Sequence, residues 1–145
     1  MIYFVSGHRD LSYEDFQKYY VPVLVNVLVD DGYPTFVVGD CNGVDKFAMD
    51  YIYNNMRKGK LHIYHMFDSP RNTPEGFIGE NNIIDKYNWT YIKDFLEIKF
   101  IGGFKSDIER DSAMTRNSDY DIAFVKDNRW NSGTAQNIKR RHSIN

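Results

Sequence analysis

Short apolar runs alternate along this chain with stretches where apolar residues recur every three or four positions. Ile2-Tyr3-Phe4-Val5, Pro34-Thr35-Phe36-Val37-Val38, Leu61-His62-Ile63-Tyr64-His65-Met66-Phe67 and Asp121-Ile122-Ala123-Phe124-Val125 are the runs. Their length and their β-branched and aromatic content predict buried strands. After the first, Ser12-Tyr13-Glu14-Asp15 reads as a capping sequence. It opens a helix toward Asp30 with Phe16, Tyr20, Val23 and Val27 on one face. Pro22 is expected to kink or split that helix, and Asp31-Gly32 to end it. Phe47, Ala48, Tyr51 and Ile52 predict a second helix over 43–57, stopped by Lys58-Gly59. Further helices are predicted over 108–118 and from Ser132 onward. Between Asp68 and about Gly103 the pattern weakens. Pro70, Pro74 and Gly76 mark a loop there, with short helices expected over 77–87 and 89–99. Such a segment is too short for a core of its own. The expectation is one α/β domain over 1–145, with an excursion of helices and loops at about 68–104. Its sheet should be mainly parallel, of four or five strands, with helices on both faces.

Three of the predicted strands run into small, polar or glycine-bearing loops. These are Ser6-Gly7-His8-Arg9-Asp10, Gly39-Asp40-Cys41-Asn42-Gly43-Val44-Asp45 and, a few residues beyond the last strand, Ser132-Gly133-Thr134. In a parallel sheet such loops converge on the carboxyl edge, where α/β folds bind ligands. Glycines let backbone approach a ligand, and the N–H groups of a helix start favour an anion such as a phosphate. For the 39–45 loop alone, an ordinary strand-to-helix turn with Asp or Asn as N-cap reads equally well.

Composition narrows the choice. Of 145 residues, 42% are hydrophobic, which supports a packed core. A net charge of −2 gives no global field for nucleic acid or an anionic membrane. The basic segment Lys139-Arg140-Arg141-His142 falls where a helix should end and complements its dipole. The single Cys41 forms no intramolecular disulfide. His62 and His65, three apart in a strand, should face opposite sides, so no metal site is expected. No cofactor is expected either. With no signal peptide and no long apolar run, the expectation is a cytoplasmic protein without membrane contact.

Several motifs appear together in order: Ser6-Gly7-His8-Arg9; Gly39-Asp40-x-x-Gly43-Val44-Asp45-x-x-Ala48; Arg110-Asp111-x-x-Met114 ahead of Asp121-Ile122-Ala123-Phe124; and Ser132-Gly133-Thr134. The set resembles the SLOG superfamily of Rossmann-like nucleotide-binding proteins. That group includes DNA-processing proteins, lonely-guy phosphoribohydrolases and small stand-alone members. The resemblance covers about 1–67 and 105–141. It implies a single Rossmann-like domain binding a phosphorylated nucleoside or a nucleotide-sugar such as an ADP-ribose derivative. It also implies that Ser6, Gly7, His8 and Arg9 lie near the ligand's phosphate or sugar. Gly39, Asp40, Asn42, Gly43 and Asp45 would form the loop floor. Arg110 would clamp phosphate, with Thr115 nearby, and Ser132, Gly133 and Thr134 would meet a phosphate at the last helix. Guanidinium forks suit phosphate and carboxylates suit ribose hydroxyls independently of any family. Salt bridges from Arg9 to Asp10 or Asp40, and a solvated helix face for Arg110, are the structural alternatives.

One departure bears on mechanism. Lonely-guy enzymes and the similar nucleoside deoxyribosyltransferases carry a Glu three residues after the Thr of the Gly-Thr turn. That Glu stabilises or attacks the anomeric carbon. Here the position is Asn137, which cannot act as a nucleophilic carboxylate. Asp111 is the best substitute, ahead of Asp45 and Asp40, although a salt bridge from Asp111 to Arg110 or Arg116 explains it equally. Three classes follow: an N-glycosidic hydrolase or transferase using Asp111, a non-catalytic nucleotide sensor or sponge, and a nucleic-acid module, which the charge disfavours. Ser6 and His8 form no hydrolase elbow. Cys41 beside a helix start is either a thiol of lowered pKa or a small turn residue. Tyr87, Trp89, Tyr91 and Phe95 suggest a homo-oligomer contact or local packing, with a lid over a base as the alternative.

Overall fold

Parallel pairing organises the molecule. The computed structural model describes residues 1–77 and 88–144. In chain order the elements are β1 (Ile2–Ser6), α1 (Tyr13–Tyr19), α2 (Val21–Asp30), β2 (Thr35–Val38), α3 (Val44–Asn55) and β3 (Lys58–Met66). There follow β4 (Asn88–Lys93), β5 (Phe95–Phe104), α4 (Asp107–Arg116), β6 (Tyr120–Ala123) and α5 (Gly133–Ile144). The sheet has six strands in the order β4-β5-β3-β2-β1-β6. Every pairing is parallel except β4 with β5. This is a mainly parallel α/β sheet of Rossmann-like topology.

The strands alternate their side chains between two layers, as the pleat requires. On one face Val5, Phe36, Val38, Leu61, Ile63, Ile98 and Phe100 pack with Phe16, Tyr20 and Leu24 of α1–α2 and with Val44, Ala48, Met49 and Ile52 of α3. On the other face Phe4, Val37 and Tyr64 pack with Ala113 and Met114 of α4. Helices therefore cover both faces. The chain steps outward from β1 through β2 to β3, then returns to place β6 on the far side of β1. The gap between β1 and β6 at the carboxyl edge is the switch point, where connections leave on opposite faces and open a crevice.

Five expectations need correction. The sheet has six strands, not four or five. Residues 89–99 form no helix but most of β4 and the start of β5, joined at Asp94, whose φ of 54° makes the tight turn. The physical signal was the period-2 run Leu96, Ile98, Phe100, all buried. The 68–104 segment is thus no mere excursion, since β5 pairs with β3 as an interior strand. Lys58-Gly59 does not stop a helix. α3 ends at Asn55 and β3 begins at Lys58. Val23 is not a core position, being 41% exposed, and Leu24 takes its place. The helix splits at Tyr20, and Pro22 lies in the first turn of α2. The helix expected over 77–87 lies, apart from residue 77, outside the described residues. So does Tyr87.

Tyr20 ties the two strand ends at the switch point. Its hydroxyl donates to the Ser6 carbonyl at 2.7 Å and accepts the Phe124 N–H at 2.9 Å. Burial pushes its pKa up to about 12, so the hydroxyl stays neutral. Tyr20→Phe leaves a buried carbonyl and a buried N–H short of a partner. Denaturant unfolding should show a loss of about 2–3 kcal/mol, whereas an unchanged midpoint would mean the bridge carries no load.

Candidate functional site

A cavity of about 460 Å³ opens at the switch point. β1 and the loop after it contribute Phe4, Ser6, Gly7, His8, Arg9 and Asp10. The loop after β2 gives Cys41, with Asp45 from the first turn of α3. Asp107, Arg110, Asp111 and Met114 come from α4. Their spacing of three, four and seven residues puts them on one face of that helix. The far wall is Arg129 with Gly133, Thr134 and Asn137 of α5.

Arg110 is the centre of the floor. It is buried, and its guanidinium reaches Asp40 at 2.8 Å, Asp111 at 3.0 Å and Asp107 at 3.4 Å. Asp40 is fully buried and also holds Arg71, through the Arg71 N–H at 2.7 Å and a guanidinium contact at 2.9 Å. Burial pushes the Asp40 carboxyl up, but the Arg71 hydrogen bonds and both arginine charges outweigh it and hold its pKa below the ordinary value. Arg71 continues to Asp107 at 3.1 Å, and Asp107 meets Arg9 at 2.9 Å. A chain of alternating charge thus runs from the floor to the rim.

Asp111 accepts from Arg110 Nε at 3.2 Å and from its terminal nitrogen at 3.0 Å, both on one oxygen. Burial raises its pKa, while Arg110 and a hydrogen bond from Asn137 oppose that rise. The Asn137 carbonyl oxygen accepts from Arg140 at 2.7 Å. This leaves its amide free to serve Asp111, and Asn137 is itself buried against the cavity.

His8 is buried, and its Nε2 accepts the Lys126 N–H at 2.9 Å. Burial lowers its pKa, and Arg129 adds to this. The ring is neutral with its proton on Nδ1. At the helix start, Ser132 Oγ caps the Ala135 N–H at 3.1 Å. The Gly133 and Thr134 N–H groups precede it at the positive end of α5. Ser6 Oγ is buried beside the cavity and finds no hydrogen-bond partner.

Of the residues expected at the site, Ser6, Gly7, His8, Arg9, Asp45, Arg110, Asp111, Gly133 and Thr134 line the cavity. Gly39, Asp40, Asn42, Gly43, Thr115 and Ser132 do not. The glycine loop packs against protein rather than forming an open floor. Gly43, with φ of 75°, lies so close to the His8 and Arg9 carbonyls that a Cβ would collide with them. A Cβ at Gly39 would strike the Asp45 carboxylate. Asn42 is exposed and accepts from Asn72. Thr115 is fully buried off the cavity-facing side of α4, and Ser132 is spent on the cap. Arg9 pairs with Asp107 rather than with Asp10 or Asp40. Cys41 is no activated thiol, because burial and the Asp45 charge raise its pKa despite the neighbouring arginines. Asp10, Asp107, Arg129 and Arg71 were not anticipated. They lie on rims and loops without a motif. Among the described residues no group of three or more His, Cys, Asp or Glu could hold a metal ion, and no helix is long and apolar enough to cross a membrane.

Asp45 gives a pH-dependent prediction. It is buried, and its carboxylate accepts the Cys41 N–H at 3.1 Å. Burial raises its pKa from 3.8 to about 6, with Arg110 and the Cys41 N–H opposing. A carboxyl whose folded pKa is raised stabilises the fold below the unfolded pKa and loses that contribution as pH rises through the folded one. Asp45→Asn keeps the acceptor and removes the titration. Its stability relative to the native chain should improve by on the order of 2 kcal/mol between pH 4 and pH 7.5. Melting curves at the two values test this, and a gap that does not change with pH would refute it.

Comparison of the chain with protein-family models, with curated proteins and with solved structures finds no match.

Proposed function

We propose that the cavity binds a phosphorylated nucleoside or a nucleotide-derived sugar and cleaves its N-glycosidic bond, with Asp111 as the reacting carboxylate. One observation carries this reading. Asp111 is held by Arg110 and Asn137 in the same cavity that contains the start of α5 and the unpartnered Ser6 Oγ. Those two features supply neutral donors for one phosphate, and Asp111 lines the same cavity. Breaking the C1′–N bond leaves positive charge on the sugar. Asp111 stabilises or captures it, and water then adds its oxygen to C1′ while its proton ends on the departing base. Asn137 acts by positioning Asp111, which accounts for an amide where lonely-guy enzymes have a glutamate. Membership of the SLOG superfamily belongs to the same proposal and rests on the ordered motifs.

The test is incubation with nucleoside monophosphates, NAD-like dinucleotides and ADP-ribose derivatives, followed by chromatography. Released base supports the reading. Tight binding with every ligand recovered intact supports a sensor or sponge, and retention of single-stranded DNA at physiological salt supports a nucleic-acid module. A homo-oligomer is part of the proposal, its contact involving the hairpin where Ile92 and Phe95 are 69% and 72% exposed. Light scattering should give a dimer or larger species that Phe95→Glu dissociates. A monomeric native chain would remove that element.

A further inference from the structure

Among the described residues, every guanidinium that lines the cavity is paired with a carboxylate. Arg129 meets Asp10 in a two-pronged contact at 2.9 and 2.7 Å, and Lys126 stands 3.6 Å from the same carboxylate. That contact holds the Asp10 pKa down to about 2, chiefly through the Arg129 hydrogen bond. Arg9 meets Asp107 at 2.9 Å. Arg110 is divided among Asp40, Asp111 and Asp107. Among the described residues, lining arginines number three, and lining aspartates number four: Asp10, Asp45, Asp107 and Asp111. A cavity built to hold several phosphates would present unpaired cations, because each phosphate needs a counter-charge once it leaves water. Among the described residues, the start of α5 and Ser6 Oγ are donors without a charged partner, and both are neutral.

We propose that Asp10 and Asp107 determine specificity by limiting the ligand to a single phosphate. This rests on the nucleotide reading above and narrows it. The two carboxylates lie at the rim, with side chains 57% and 40% exposed. A second or third phosphate extending toward the mouth meets them in place of a cation. To bind, it must displace Asp10 from Arg129 or Asp107 from Arg9, leaving like charges side by side. One phosphate at the start of α5 avoids both. Asp10 and Asp107 act by occupying Arg129 and Arg9 and touch no reacting atom.

Calorimetric titration with the nucleosides and the 5′-mono-, di- and triphosphates of adenine, guanine, cytosine and uracil tests this. Within any series that binds, the monophosphate should be tightest, with the di- and triphosphates at least about tenfold weaker. The double variant Asp10→Asn with Asp107→Asn should strengthen diphosphate binding by about tenfold or more relative to any gain in monophosphate binding. Both positions are at the exposed rim, and a melting curve verifies that the variant is folded. Di- or triphosphates binding more tightly than the monophosphate to the native chain would overturn this proposal alone. So would a double variant that discriminates as the native chain does. No binding by any member of the four series would overturn both this proposal and the nucleotide reading.

Discussion

Asp40→Ala should lower the unfolding free energy by roughly 3–5 kcal/mol, the largest single-residue loss expected in this molecule. The carboxylate is fully buried between the guanidiniums of Arg110 and Arg71, and it also takes the Arg71 N–H. Removing it takes the buried carboxylate from both cations, leaving Arg71 only the half-exposed Asp107, and strands a backbone donor. Arg110 keeps Asp111 and Asp107, but neither can move into the vacated space without abandoning the cavity wall. Against a total stability of about 5–15 kcal/mol for a domain, such a loss brings the fold near its limit. In thermal melts it corresponds to a drop on the order of 10 °C. The Arg71 end should be affected more than the Arg110 end, because the segment carrying Arg71 is tied to the glycine loop mainly through Asp40 and through Asn72, which donates to the Asp40 carbonyl. Amide exchange should therefore accelerate first over 69–77. A melting temperature within about 2 °C of the native value would mean that the network is dispensable.

Asp111→Asn should reduce base release by about 10²–10⁴-fold, the range typical for a positioned acid, base or nucleophile. Asparagine preserves shape and can still accept from Arg110, so stability and ligand affinity should change little beside the rate. That split between rate and affinity separates a reacting carboxylate from a structural ion pair. The pH profile adds an independent check. Because burial raises the Asp111 pKa, activity that needs its anion should fall on acidification through a value above the ordinary carboxylate's 3.8. Asn137→Ala removes the hydrogen bond that opposes this rise and should move the acid limb to still higher pH. An Asp111→Asn variant with undiminished base release would dismiss this residue from the chemistry.

The fold was largely legible because four of its parallel strands are short apolar runs leading into polar or glycine-bearing loops. β1, β2, β3 and β6 all fall within a few residues of their expected positions. β4 and β5 escaped because Tyr91 and Phe95 mimic helical spacing while Leu96, Ile98 and Phe100 alternate as a strand. Short apolar segments carry both periods at once, and the pairing of β5 with β3 decided between them. At the site, residues announced by glycine or by a strand end were found in sequence: Ser6 through Arg9, Asp45, Gly133 and Thr134. The charges that neutralise them were not. Asp10 is 119 positions from Arg129, Asp107 is 98 from Arg9, and Arg71 is 31 from Asp40. Nothing local marks such pairs, because folding alone brings them together. The glycine loop misled for a related reason. Gly39 and Gly43 are required by contacts with Asp45, His8 and Arg9, so the loop serves the protein's own packing.

Amide chemical-shift mapping tests the central claim most directly. Titration of the labelled protein with nucleoside monophosphates should perturb Gly7, His8, Arg110, Asp111, Gly133 and Thr134 together, leaving the β4–β5 turn at Asp94 unmoved. A ligand that shifts none of these residues, or shifts only residues outside the cavity, would contradict a nucleotide site at the switch point.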